Sequence, residues 1–147
     1  MFIVFGGLMT KNMFYFDPND QHIVAGLNLS ESGHDMPCLA SLPVEQRYHK
    51  LVWGACGMAE ASMPSGLIVG GADRGIISMY DAAKLIKGED NALVYTKDKH
   101  TGPVTALDFN PFQNNLLASG GSESGAYLVY NIHKLFFFIV RIVYLGC

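Results

Sequence analysis

One phrase is written twice in this chain, and that repetition limits the fold more than any single residue does. GLIVGGADRGIISMYD, Gly66 to Asp81, lies over NLLASGGSESGAYLVYN, Asn115 to Asn131, with one residue inserted in the later copy. The comparison puts Gly70-Gly71 over Gly120-Gly121, Gly75 over Gly125 and Tyr80-Asp81 over Tyr130-Asn131, an offset that settles at 50 residues. Upstream of the first copy, Lys50-Leu51-Val52-Trp53-Gly54 plays the part of Ala106-Leu107-Asp108-Phe109-Asn110. Self-similarity at about 40 to 50 residues per unit, with four short strands in each unit, is the signature of β-propeller blades.

The turns within the later copy support that reading. Val104, Ala106, Leu107 and Phe109 form an apolar strand closed by Asn110-Pro111, because proline fixes φ and cannot continue a ladder. Leu116 to Ala118 make a second run, stopped by Gly120-Gly121, and Ala126 to Tyr130 resume with aromatic residues of high β propensity. Between the copies, Asp81 is placed to cap one helical turn through Leu85 that stops at Gly88, and Ala92 to Tyr95 read as the outer strand of a blade, leaving Lys97-Asp98-Lys99 as an exposed exit. The fold class is all-β: a partial propeller of about two to three blades in an incomplete ring.

The motifs His-x-Gly, aliphatic strand, Asn-Pro, Leu-Ala-Ser-Gly and aromatic-Asp or aromatic-Asn resemble the WD-repeat family. More narrowly, RYHKLVWG (Arg47 to Gly54), GLIVGGADRG (Gly66 to Gly75) and DKHTGPVTALDFNPFQNNLLASGGSES (Asp98 to Ser124) resemble the N-terminal propeller of the large outer-cage subunits of the COPII vesicle coat. The resemblance implies a non-enzymatic scaffold acting between endoplasmic reticulum and Golgi, cytoplasmic and peripheral to exit sites. Its partners would be other coat subunits, and it would meet membrane only through the coat. A WD-repeat adaptor of another complex is the rival within the fold. In WD repeats a turn histidine, a strand serine, a turn aspartate and the aromatic of the third strand form a buried network that locks each blade. By that resemblance His100, Ser119 and Tyr130 match the later blade, with Tyr in place of the usual Trp and Glu123 or Ser124 near the aspartate position. Asp73 and Tyr80 match the earlier one. Trp53, at a strand end, reads as an anchor in the core or between blades.

The chain divides into a divergent N-terminus (1–21), a partial blade and connection (22–48), two blades (49–131) and an apolar tail (132–147). Phe2 to Met9 has no basic residue ahead of it and no small-x-small cleavage site after it, which argues against a signal peptide. The segment reads as a strand pair, MFIVF and NMFYF around Gly6-Gly7, or as sequence outside the fold. Ile23 to Leu29 and Pro37 to Leu42 suit strands, with a polar turn between them, and Asn28-Leu29-Ser30 fits the glycosylation sequon. The tail LFFFIVRIVYLGC is too short for a membrane span of about 20 apolar residues and carries Arg141 at its middle. A strand, an interfacial segment and out-of-family sequence compete there; the resemblance ends near Lys134, which favours the last. Two blades and part of a third in 147 residues read as a fragment or truncated product, since a ring takes at least about four blades.

Little in the chain suggests chemistry. A net charge of −3 provides no basic footprint for nucleic acid. Cys38, Cys56 and Cys147 lack CxxC spacing, and His22, His34, His49 and His133 lack metal-ligand spacing, so neither a disulfide framework nor a metal or other cofactor is expected. Gly70, Gly71 and Gly75 read as turn glycines, since no Gly-Lys-Ser or Gly-Lys-Thr follows to make a phosphate loop. His100 and Ser119, with Asp73 or Asp108, invite a hydrolase reading that would take a small-molecule substrate. No Gly-x-Ser-x-Gly elbow surrounds the serine, so the structural role is preferred.

Overall fold

A computed structural model of the chain describes residues 2–5, 13–17, 22–26, 38–58, 62–98, 100–122, 127–131 and 136–138. The strands in these residues form three separate four-stranded antiparallel meanders, taken in chain order. The first sheet holds β1 (Phe2–Phe5), β2 (Met13–Asp17), β3 (His22–Gly26) and β4 (Cys38–Pro43). The second holds β5 (Tyr48–Gly54), β6 (Leu67–Ala72), β7 (Ile76–Asp81) and β8 (Leu93–Asp98). The third holds β9 (Val104–Phe109), β10 (Leu116–Gly121), β11 (Tyr127–Asn131) and β12 (Phe136–Phe138). Successive sheets meet through their leading strands, β1 beside β5 and β5 beside β9.

The strand pair read at the N-terminus is present: Phe2 stands opposite Phe16 and Phe5 opposite Met13. Phe136–Phe138 is also a strand, pairing Val129 with Phe138, so this part of the tail takes the strand reading, within the third sheet. The sequon at Asn28, the turn from Ser30 to Asp35, Glu123, Ser124, the side chain of Tyr130 and the remainder of the tail lie outside the described residues. No helix among the described residues is long and apolar enough to cross a membrane.

Alternation along β6 explains the layering. All six of its residues are buried, and side chains two apart share a face. Leu67 and Val69 join Ile77, Met79, Val104, Leu107 and Leu117 in a core between the second and third sheets. Ile68 joins Tyr48, Leu51, Tyr80, Leu85 and Ile23 in a core between the first and second. A strand apolar on both faces has to be covered twice, and the middle sheet is.

The one described α-helix, α1 (Ala82–Ile86), follows from local chemistry. The Asp81 carboxylate accepts from the amides of Ala83 at 2.9 Å and Lys84 at 3.4 Å, satisfying two donors that a first helical turn leaves open. Gly88 then ends the turn at φ +70, where a side chain would be strained. Buried Leu85 ties the helix to the core, and the helix lies against β3 and β4.

Candidate functional site

Two buried polar pairs and a glycine seam sit where the sheets meet. In the later repeat, His100 precedes β9 and Ser119 lies on β10; Nε2 of the ring is 2.8 Å from Ser119 Oγ, and the two residues are 6% and 1% exposed. Tyr130 stands on β11, its backbone opposite Leu117 on the neighbouring strand. Asp73 opens the turn after β6 and pairs with His49 of β5 at 2.5 Å, at a partly exposed position. The spacing of His49 in the sequence gives no sign of this pairing. Trp53 is half-buried beside the core of the first and second sheets, and its indole N–H donates to the Ser65 carbonyl at 2.8 Å.

Tyr80 does not repeat the arrangement around Ser119. Its hydroxyl meets that of Tyr48 at 2.6 Å, one donating to the other, with the two rings edge to face. Ser78 on the same strand partly offsets the effect of burial on both phenols, and its hydroxyl lies 3.2 Å from that of Thr96. Strand registers explain the difference. Ile68 faces Tyr80 as Leu117 faces Tyr130, so Gly70, opposite Ser78, is the counterpart of Ser119, opposite Leu128. The inserted residue of the later copy therefore falls in the hairpin after β10. The structure thus sets Gly70 over Ser119 and Gly71 over Gly120, one position from the alignment of the double glycines in sequence.

The leading strands do align as read, with Leu51 opposite Gly70 and Leu107 opposite Ser119, and both bulge at the same place, which makes Tyr48 the counterpart of Val104. A Cβ on Gly70 would come within 2.4 Å of the Tyr48 ring. Glycine with tyrosine in one sheet thus replaces serine with valine in the other. The glycines at 70, 71, 120 and 121 are strand residues, not turn residues; at 70 and 71 the space a side chain would need is occupied by Tyr48 and Val104.

Burial raises the pKa of both Tyr48 and Tyr80, and at Tyr80 the neighbouring Tyr48 adds to the effect. Because the unfolded phenols ionise near 10 and the folded ones above it, this contribution to stability is full below pH 10 and declines as pH rises past it. Tyr48→Phe leaves the Tyr80 hydroxyl without that partner and is expected to cost about 1 to 3 kcal/mol, read as a lower urea midpoint at unchanged slope. The double variant with Tyr80→Phe should cost less than the two singles summed. Strict additivity would show that the pair is not coupled.

Among the described residues, no group of three His, Cys, Asp or Glu is placed to hold a metal ion. Asp73 is engaged by His49, and Asp108 is exposed on β9.

This architecture and these repeats have relatives. No family model matches the chain. Over 113 residues, 77% of the chain, it is 42% identical to protein transport protein Sec31A of Danio rerio and equally to that of Homo sapiens. To protein transport protein sec31 of Neurospora crassa it is 36% identical over 107 residues, 73% of the chain. The chain is Sec31-like. It spans 8 to 9% of the length of these Sec31 relatives. A chain in the crystal structure of the mitotic checkpoint complex shares the fold, with a TM-score of 0.65, at 17% identity, covering 92% of the Sec31-like chain and 35% of its own length. That neighbour is a WD-repeat propeller, so the Sec31-like sheets are blades of a partial propeller. Of the residues singled out by motif, the fold brings His100 to Ser119 but Asp73 to His49 and Tyr80 to Tyr48. Tyr48, His49, Ser78 and Thr96 carried no motif signal and were missed.

Proposed function

We propose that the chain is a non-enzymatic interaction scaffold of the COPII outer-coat type, cytoplasmic and peripheral to endoplasmic reticulum exit sites, contacting other coat subunits through its blades. The observation that carries this reading is the 42% identity to Sec31A over 113 residues, 77% of the chain. Its loops offer rigid contact points. Phe112, 93% exposed, sits on a turn where the Asn110 side chain accepts from the amides of Phe112 at 2.8 Å and Gln113 at 2.9 Å. A large aromatic side chain presented on a hydrogen-bonded turn suits an interface anchor.

Affinity purification of the tagged chain from cells tests the proposal. Enrichment of coat subunits over a tagged control propeller is the expected outcome, and their absence would count against it.

The hydrolase alternative has a geometric counterpart in the 2.8 Å contact of His100 with Ser119, but a hydroxyl 1% exposed has no access to substrate. On the scaffold reading the pair fastens the loop before β9 to β10. Ser119→Ala is then expected to lower stability by about 1 to 3 kcal/mol, through the histidine left without that partner, and to change no hydrolytic rate. Loss of an esterase or peptidase activity in that variant, with stability intact, would support the hydrolase.

A further inference from the structure

A cleft of about 330 Å³ separates the end of the first sheet from the outer strands of the second. One wall is the face of the second sheet that carries Tyr80 into the core it shares with the first. Ser78 stands opposite Thr96 and Tyr80 opposite Leu93, which puts all four on one side of β7 and β8. The other wall is Leu42, near the end of β4, and Val44, in the link to β5, both half-buried and packed against the same core. Leu93 is 46% exposed at the mouth, while Ser78, 2% exposed, holds the hydroxyl of exposed Thr96 at 3.2 Å. The charge is one-sided. Glu45, in the link after β4, and Asp90, in the short turn before β8, are exposed and line the cleft, and no lysine, arginine or histidine does so. Neither carboxylate has an ion-pair partner among the described residues; nearby Lys87 pairs instead with Glu89 at 4.0 Å.

We propose that this cleft binds an extended segment of a partner protein through a lysine or arginine side chain, with the methylene stem against Leu42, Val44 and Leu93 and the cation at Glu45 or Asp90. Two solvated carboxylates bind nothing by themselves. Set beside apolar walls and a hydroxyl floor, they favour a group that is apolar along its stem and cationic at its tip, which is the build of these two side chains. A peptide suits the site better than a free amine, because the cleft runs between strands of two sheets. Alternate side chains of an extended segment would meet the apolar wall and the carboxylates in turn. Both walls belong to described residues of the first two sheets, so the site does not depend on what precedes or follows them. Such a segment would bind here whichever complex the chain serves.

Fluorescence anisotropy on the full chain tests this with a labelled peptide carrying a central Leu-Arg-Leu triplet, and with matched peptides in which glutamine or glutamate replaces the arginine. Saturable binding of the arginine peptide is expected, roughly tenfold tighter than that of the glutamine peptide, with none for the glutamate peptide. Glu45→Gln with Asp90→Asn should weaken it by roughly tenfold with an unchanged circular dichroism spectrum. Glu89→Gln with Asp108→Asn removes the same charge at two positions that do not line the cleft, and should change the affinity by less than about twofold. As a second measurement that needs no variant, backbone amide shifts on adding the arginine peptide should concentrate in Leu42 to Gln46 and Leu93 to Thr96. Equal binding of the glutamine peptide, equal losses in the two double variants, shifts centred elsewhere, or no binding at millimolar peptide would each overturn the proposal.

Discussion

Gly75→Val is expected to cost about 4 kcal/mol or more, enough to unfold a domain of ordinary stability. Gly75 ends the turn between β6 and β7 at φ +75, a left-handed conformation that a β-branched residue adopts only under strain. Space is the second obstacle. A Cβ there would lie closer to the His100 carbonyl than any atom tolerates, and that oxygen belongs to backbone whose own amide donates to Gly75 O at 3.3 Å. No rotamer change relieves such a clash. Gly75→Ala should therefore fail almost as badly as valine, in contrast to an ordinary surface turn, where alanine costs far less. Chemical denaturation of the two variants checks this. A cost below about 1 kcal/mol for alanine would show that the loop carrying His100 can move away.

Gly71→Val ranks next, at about 3 kcal/mol, and for a different reason. Its backbone is ordinary extended strand, so conformational strain plays no part. The new Cβ would meet Val104 Cγ1 at 2.7 Å and Val104 O at 2.8 Å, one atom of a side chain and one of the neighbouring sheet's backbone. Val104→Ala, introduced into Gly71→Val, should recover only the side-chain share, leaving the carbonyl contact to hold the second and third sheets apart. Full rescue would mean that the backbone gives way easily. Thermal unfolding of the four proteins in this cycle separates the two contributions.

Much of the architecture was legible because it is punctuated by residues whose backbone chemistry leaves little choice. Asn110-Pro111 ends β9, Asp81 starts the helical turn, Gly88 stops it, and the repeated phrase marks two sheets. The double glycines misled for an equally physical reason. Glycine has poor β propensity and free φ, so Gly-Gly looks like the end of a strand. At Gly70 and Gly71 the decisive factor is instead the volume of Tyr48 and Val104, which arrive from distant positions in the chain.

The Tyr48–Tyr80 pair was illegible for the same cause. Nothing local announces that two tyrosines 32 residues apart will hydrogen-bond to each other inside a core, whereas His100 and Ser119 stood out through a family pattern. The position of the inserted residue was ambiguous because either placement keeps the glycines and the tyrosine in order. Only the register of β10 on β11 decides between them.

The double burial of β6 has a consequence for how the molecule breathes. Its amides are paired within the sheet to β5 and β7, and apolar side chains cover both of its faces. Deuterium should therefore reach β6 last, through an opening that separates three sheets at once, while β8, at the outer edge with mostly exposed side chains, exchanges early. The slowest-exchanging amides would then report the cohesion of the whole row of blades, and a residue such as Val69 would serve as an isotopic clock for the assembly rather than for its own strand.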